Sequence, residues 1–290
     1  MISHTILPLI ARLPSNVYLD LTPSNVFFRI KNPTEWTSSQ LEVIDVLRSS
    51  VASEPLVRID GEPTNPHGPR TVTSAIPTWK LDPECYTNTI MIGDLDASFP
   101  AEDAPEKDFI LPPVHYCAPE LLTQLFPFPP NPHTDIWSLG LTIFVTRAGT
   151  PLFPRTRDVN KMFLSIHIRL GDSPKLREIW TTKDEVFDAD GRVMVYTPIQ
   201  KSLRQAIEDI GRDIEVPIGT ETASEISADD PASAVGMKTL AEEWVSPPPS
   251  LAEVDSFYDL LNKMLQIEPE KRIGIEEVRE HPWFTTEFES

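Results

Sequence analysis

From Ile136 to Val145 the chain reads Ile-Trp-Ser-Leu-Gly-Leu-Thr-Ile-Phe-Val, apolar on nearly every face, with Ser138 and Thr142 as small polar interruptions. A surface helix carries a polar stripe, whereas a helix apolar all round belongs in the middle of a domain. Asp135 stands at its start, where a carboxylate can accept from free backbone amides and meet the positive end of the helix dipole. A charge at the mouth of a buried helix needs partners, because an unpaired one is costly to bury. On spacing alone two readings stand: an ordinary N-cap on a core helix, or a carboxylate with partners elsewhere in the chain. The fold has to be built around this run.

Composition narrows the setting. A chain of 290 residues has room for one large domain or two small ones, and 30 prolines with 11 glycines indicate many loops. Lys plus Arg number 25 against 44 Asp plus Glu, a formal charge of −19. So acidic a surface repels phosphate backbones and favours basic partners, which argues against nucleic acid as a direct ligand. Cys85 and Cys117 are the only cysteines, giving neither a disulfide framework nor a zinc constellation. The N-terminus has no basic leader, and no run approaches the length needed to span a bilayer. The chain is expected to be soluble, with no membrane partner, in the cytoplasm or the nucleus.

In order along the chain, residues 1–16 carry a weak helical pattern (Ile6, Leu7, Ile10, Leu13) limited by Pro8 and Pro14. A short strand from Asn16, a polar turn around Pro23 and a second strand from Val26 to Ile30 follow. The turn holds Asp20 and Asn25, which could serve a substrate hydroxyl and a metal ion or could simply be turn formers. Residues 31–90 form a long irregular segment with a helical pattern through Leu41, Ile44, Val46 and Leu47, and so long a connection is usually an insertion. Thr89 to Asp96 reads as a buried-type strand ending in the carboxylates of Asp94 and Asp96, or as a strand followed by an acidic turn. Ala118-Pro119-Glu120 leads into a short helix through Leu121, Leu122 and Leu125. After the buried helix come an amphipathic helix at Val159–Leu170 and an acidic stretch at 213–250 expected to be a mobile loop. Helices at Leu251–Gln266 and Ile275–Trp283 close the chain, joined through Arg272.

Taken together, Asp20-Leu21-x-Pro-x-Asn25, Asp94-Leu95, Ala118-Pro119-Glu120, Asp135-Ile136-Trp137-Ser138-Leu139-Gly140, Arg272 and His281-Pro282-Trp283-Phe284 resemble the large lobe of a eukaryotic protein kinase. Each motif is weak alone; their order along the chain makes the likeness strong. The long segment after Asn25, with its Glu54-to-Gly61 run, is similar to the fungal-type SR-protein kinases. The resemblance implies a mainly α fold, with short β strands around the catalytic loop, and one kinase-like domain over 1–290 with 31–90 inserted. It assigns Asp20 to the acceptor hydroxyl, and Asn25 and Asp94 to magnesium on ATP. It makes Glu120 and Arg272 a buried ion pair, and Asp135 the tether of the catalytic-loop backbone. The family activity is ATP- and Mg2+-dependent phosphoryl transfer to serine or threonine, here to serine in basic, Arg/Ser-rich proteins.

The sequence also departs from that pattern. Asp20 comes so early that no small lobe is expected, with no Gly-rich loop and no Val-Ala-x-Lys strand. Tyr18 and Leu19 replace His and Arg, Thr22 replaces the lysine that touches the transferring phosphoryl group, and Asp96 stands where the Asp-x-Gly motif has glycine. A hydroxyl cannot supply the missing positive charge. Weak or absent activity and weak nucleotide binding are therefore expected. The alternative is a non-catalytic, pseudokinase-type binding module.

Overall fold

The protein is described by a computed structural model over residues 16–49, 51–58, 61, 63–74, 80–103, 110–122, 129–190, 192–194, 201–212 and 246–288. The helical pattern at 1–15, Leu125 and residues 213–245 of the acidic stretch lie outside the described residues. The chain divides into two compact units, one of residues 1–27 with 91–290 and one of residues 28–90.

The larger unit is mainly helical. It opens on strand β1 (Asn16–Val17), and a 3-10 turn at Pro23–Asn25 leads to β2 (Val26–Ile30), which runs on into the second unit. Within residues 28–90 lie α1 (Ser38–Ser49), the antiparallel pair β3 (Ser53–Pro55) and β4 (Thr71–Thr73), and most of β5 (Tyr86–Ile92). Trp36, Leu47, Leu81 and Cys85 form a small core there. Of the apolar positions on α1 only Leu47 is buried, while Val46 is 64% exposed. The strand expected at Thr89–Asp96 is β5. It stops at Ile92, pairs among the described residues only with β2, and has Ile90 buried but Met91 exposed. A two-stranded ribbon covers one face at most, so the strand is half-buried rather than buried.

The rest of the larger unit runs β6 (Phe99–Pro100), α2 (Pro119–Leu122), α3 (Pro132–Ala148), α4 (Val159–Leu170), α5 (Pro174–Ile179), α6 (Leu203–Glu208), α7 (Leu251–Met264), α8 (Ile275–Glu280) and α9 (Pro282–Thr285). β6 pairs antiparallel with β1, Val17 opposite Phe99. The helix expected at Ile275–Trp283 is therefore two, because Pro282 lacks an N–H and disfavours helical backbone at His281 (φ −64°, ψ 137°).

Helix α3 is the apolar run, and Thr134 through Val145 are all buried. Its cap is not Asp135 but Asn131, whose side chain accepts from His133 N, while Thr134 Oγ1 accepts from Asn131 N. Aromatic rings hold it on both sides. Phe144 stacks on Phe257 of α7 with centroids 6.3 Å apart, Phe257 on Trp283 at 4.6 Å, and Trp137 on Phe153 at 6.1 Å. No helix among the described residues is long and apolar enough to cross a membrane.

Beyond α6 the chain passes close to Ser246–Pro248. Gly211 has φ +71°, and a Cβ there would lie 2.2 Å from Ser246 O and 2.6 Å from Pro248 N. Gly149 has φ +75° with nothing within 4 Å of that position. Both sites charge alanine for left-handed backbone, about 1–2 kcal/mol, but only Gly211 adds a collision with backbone. Gly211→Ala should thus lower the unfolding free energy by clearly more than Gly149→Ala, measured in urea. Equal losses would mean that the Gly211 contact is not tight.

Candidate active site

The turn from Tyr18 to Asn25 is held mostly by α3. The Asp135 carboxylate accepts from two successive backbone amides, Tyr18 N at 2.7 Å (Oδ2) and Leu19 N at 2.9 Å (Oδ1). Both oxygens are used, so the buried charge has partners. Burial pushes this carboxyl up to about 7, against the pull of the two N–H donors. The two polar interruptions of the helix's apolar surface also hold backbone. Ser138 donates to Tyr116 O at 3.1 Å, and Thr142 donates to Leu21 O at 2.8 Å. Positions 135, 138 and 142 follow the i, i+3, i+7 spacing that puts residues on one helix face. The helix does have a polar stripe, and that stripe faces backbone instead of water. The spacing was available in the sequence; what lay opposite it was not.

Asp20 sits in the turn that this stripe fixes. Asn25 Nδ2 donates to Asp20 O and to Asp20 Oδ2, each at 2.9 Å. Asp20 Oδ1 is buried and has no hydrogen-bond partner among the described residues. Leaving such an atom without a partner is costly. Burial raises the Asp20 pKa first, and the charges of Asp94 and Asp96 raise it further, while the Asn25 hydrogen bond lowers it. A raised pKa makes the carboxylate a better proton acceptor.

Asp94 lies just past β5, where Gly93 N donates to Asn25 O at 2.9 Å and ties the two segments together. Its backbone is left-handed, φ 57°, and so is that of buried Leu19, φ 60°. These are the only non-glycine residues with positive φ among those described, and both are beside Asp20 or Asn25 in the site. Asp96, which stands where the Asp-x-Gly motif has glycine, does not have positive φ. Strain of this kind costs about 1–3 kcal/mol and persists where the surroundings impose it. At Leu19 the backbone N–H is held by the Asp135 carboxylate.

The donors fit a hard cation. With Nδ2 committed to Asp20, Asn25 leaves its amide oxygen free to ligate, and Asp94 offers an exposed carboxylate. Magnesium favours such a sparse oxygen set, completed by phosphate oxygens and water. No group of three or more His, Cys, Asp and Glu side chains suited to a metal occurs among the described residues, so the rest of the shell would come from a ligand and water. Thr22 contributes no charge here: it is 2% exposed, and its hydroxyl is within 2.8 Å of Ser24 Oγ.

Glu120 and Arg272 meet beside the first turn of the same helix, next to His133 and Thr134. Arg272 Nη1 and Nη2 donate to Glu120 Oε1 (2.8 Å) and Oε2 (2.6 Å), a bidentate pair with side chains 0% and 5% exposed. The guanidinium also donates to His133 O, Gln266 O and Ile267 O, and lies 5.3 Å from the Trp137 ring centroid. All five of its N–H groups are thereby engaged. Asp20, Asn25 and Asp94 form one cluster; Glu120, Arg272 and Asp135 form the frame beneath it.

The mainly helical unit thus carries a strapped carboxylate turn and a buried Glu–Arg clasp. The protein kinase domain matches residues 84–284. The chain belongs to the protein kinase family. Asp94, Glu120, Asp135 and Arg272 fall inside the matched residues, and Asp20 and Asn25 precede them. A stretch of 30 residues is also 60% identical to a probable serine/threonine-protein kinase of Dictyostelium discoideum, covering 10% of this chain and 4% of that protein. Members of the family use ATP with Mg2+.

Proposed function

We propose that the chain is a serine/threonine protein kinase of weakened transfer chemistry, acting on serines in basic, arginine-rich protein segments. The observation that carries this reading is Asp20: one oxygen is held by Asn25, and the other has no hydrogen-bond partner among the described residues. In this reading Asp20 orients the hydroxyl and takes its proton. Asn25 and Asp94 hold magnesium, which neutralises charge on the phosphates of ATP. The −19 charge supports a basic substrate, as does the likeness of the Glu54-to-Gly61 run to SR-protein kinases. The transfer is slow because Thr22, tied to Ser24, brings no positive charge to the phosphoryl group.

The same Thr22 favours a second reading, a pseudokinase-type scaffold that binds a basic protein without transfer. One assay separates the two. The chain is given Mg2+, labelled ATP and either an Arg/Ser-rich or an acidic serine peptide. The kinase reading expects slow labelling of the basic peptide only, reduced by about 10²-fold or more in Asp20→Asn. That variant keeps the shape of the side chain and lacks the base. Basic-peptide binding with labelling equal in the two proteins would leave the scaffold reading standing and sink the first.

A further inference from the structure

We propose that Thr142 is a positioning residue for Asp20, an inference that rests on the kinase reading of that carboxylate. Asp135 fixes the two peptide N–H groups that precede Asp20, at Tyr18 and Leu19. Thr142 fixes the carbonyl that follows it, at Leu21, through a buried bond between residues 121 apart in sequence. The two side chains stand seven residues apart on α3, about 10 Å along its axis, on one face. Asp20 is thus clamped from both sides by a single rigid element.

The use Thr142 makes of its hydroxyl is unusual for a helix. A helical serine or threonine ordinarily donates back to the carbonyl four residues earlier. Thr146 does this to Thr142 O at 2.7 Å, and Ser165 does it to Lys161 O at 2.7 Å. Thr142 instead reaches across to Leu21, where both residues are almost completely buried (4% and 0% exposed). The Asp20 carbonyl is already engaged by Thr22 N and Asn25 Nδ2. The Leu21 carbonyl has the Thr142 hydroxyl as its partner. Without that hydroxyl the carbonyl would be buried and unpaired, and the Leu21–Thr22 peptide would be free to rotate towards other donors. Because Asp20 adjoins that peptide, its free oxygen would move relative to the acceptor hydroxyl. Displacements of about 1 Å at a reacting centre can cost up to 10²-fold in rate.

The test uses the full chain with Thr142→Val, which keeps the branched shape and loses the hydroxyl, Thr142→Ser, which keeps the hydroxyl, and Thr146→Val as a control for a local helix bond. Two readouts are taken: amide hydrogen exchange over residues 18–25, and kcat and KM for the basic peptide. Thr142→Val should exchange faster in this turn and lose about tenfold in kcat with little change in KM. Thr142→Ser should return both towards the parent, and Thr146→Val should move neither. Exchange unchanged in Thr142→Val overturns the proposal. Faster exchange with an unchanged kcat overturns it as well. If the parent transfers no phosphate, the failure falls on the kinase reading, and the exchange result alone decides whether Thr142 holds the turn.

Discussion

Arg272→Ala should lower the unfolding free energy of the larger unit by about 3–5 kcal/mol, the range expected when one partner of a buried ion pair is removed. Four features place it in that range. The pair is bidentate and nearly inaccessible, so solvent screening gives no relief. The Glu120 carboxylate would keep only the Thr134 hydroxyl at 3.3 Å. The carbonyls of His133, Gln266 and Ile267 would lose a donor at the same time. The face of Trp137 would lose its cation. Arg272→Lys restores the charge but has three donors in place of five and no fork, so it should recover only part of the loss. The double variant Glu120→Leu with Arg272→Met should lose less than Arg272→Ala, because no charge is left behind. Urea midpoints at matched m-values provide the comparison. A loss below 1 kcal/mol in Arg272→Ala would show that the clasp does little for stability.

Much of this frame could be read from the residue order, and the limits of that reading have physical causes. The apolar run at 136–145 identified a buried helix because burial on all sides leaves no other use for such a sequence. Asp135 was harder to place. A carboxylate near a helix start is equally good as a cap, and only the position of Asn131 one turn earlier removes that option. Ser138 and Thr142 looked incidental because periodicity names a face without naming what it touches. The left-handed backbone at Asp94 has no local signal in the sequence, because it depends on the path from β5, where Gly93 bonds to Asn25. Helices α5 and α6, six residues each, leave no legible pattern, because so few turns are too short for a period to stand out. The pairing of Glu120 with Arg272, 152 residues apart, came from the family resemblance and from no local signal.

Asp135→Asn should destabilise the chain by an amount that depends on pH, and the direction of that dependence tells which force governs the carboxylate. Asparagine offers one acceptor oxygen to two N–H donors. One amide, at Tyr18 or Leu19, is then left facing an NH2 group, at a cost of about 1–3 kcal/mol. Against this stands burial, which pushes the native carboxyl up from 3.8 to about 7. A carboxyl raised on folding binds more protons in the native state than in the unfolded one between those two values. Its contribution to stability is present below about pH 4 and is lost as pH rises through about 7. The Asn variant has no such slope. The deficit of Asp135→Asn relative to the parent should therefore be largest near pH 4 and shrink steadily towards pH 8, read as the difference in urea midpoints at each pH. A deficit that instead grows as pH rises out of acid would mean that the two N–H donors outweigh burial and hold the native carboxyl below 3.8. In that case the loop is held by a permanent charge, and acid alone would loosen the turn that carries Asp20.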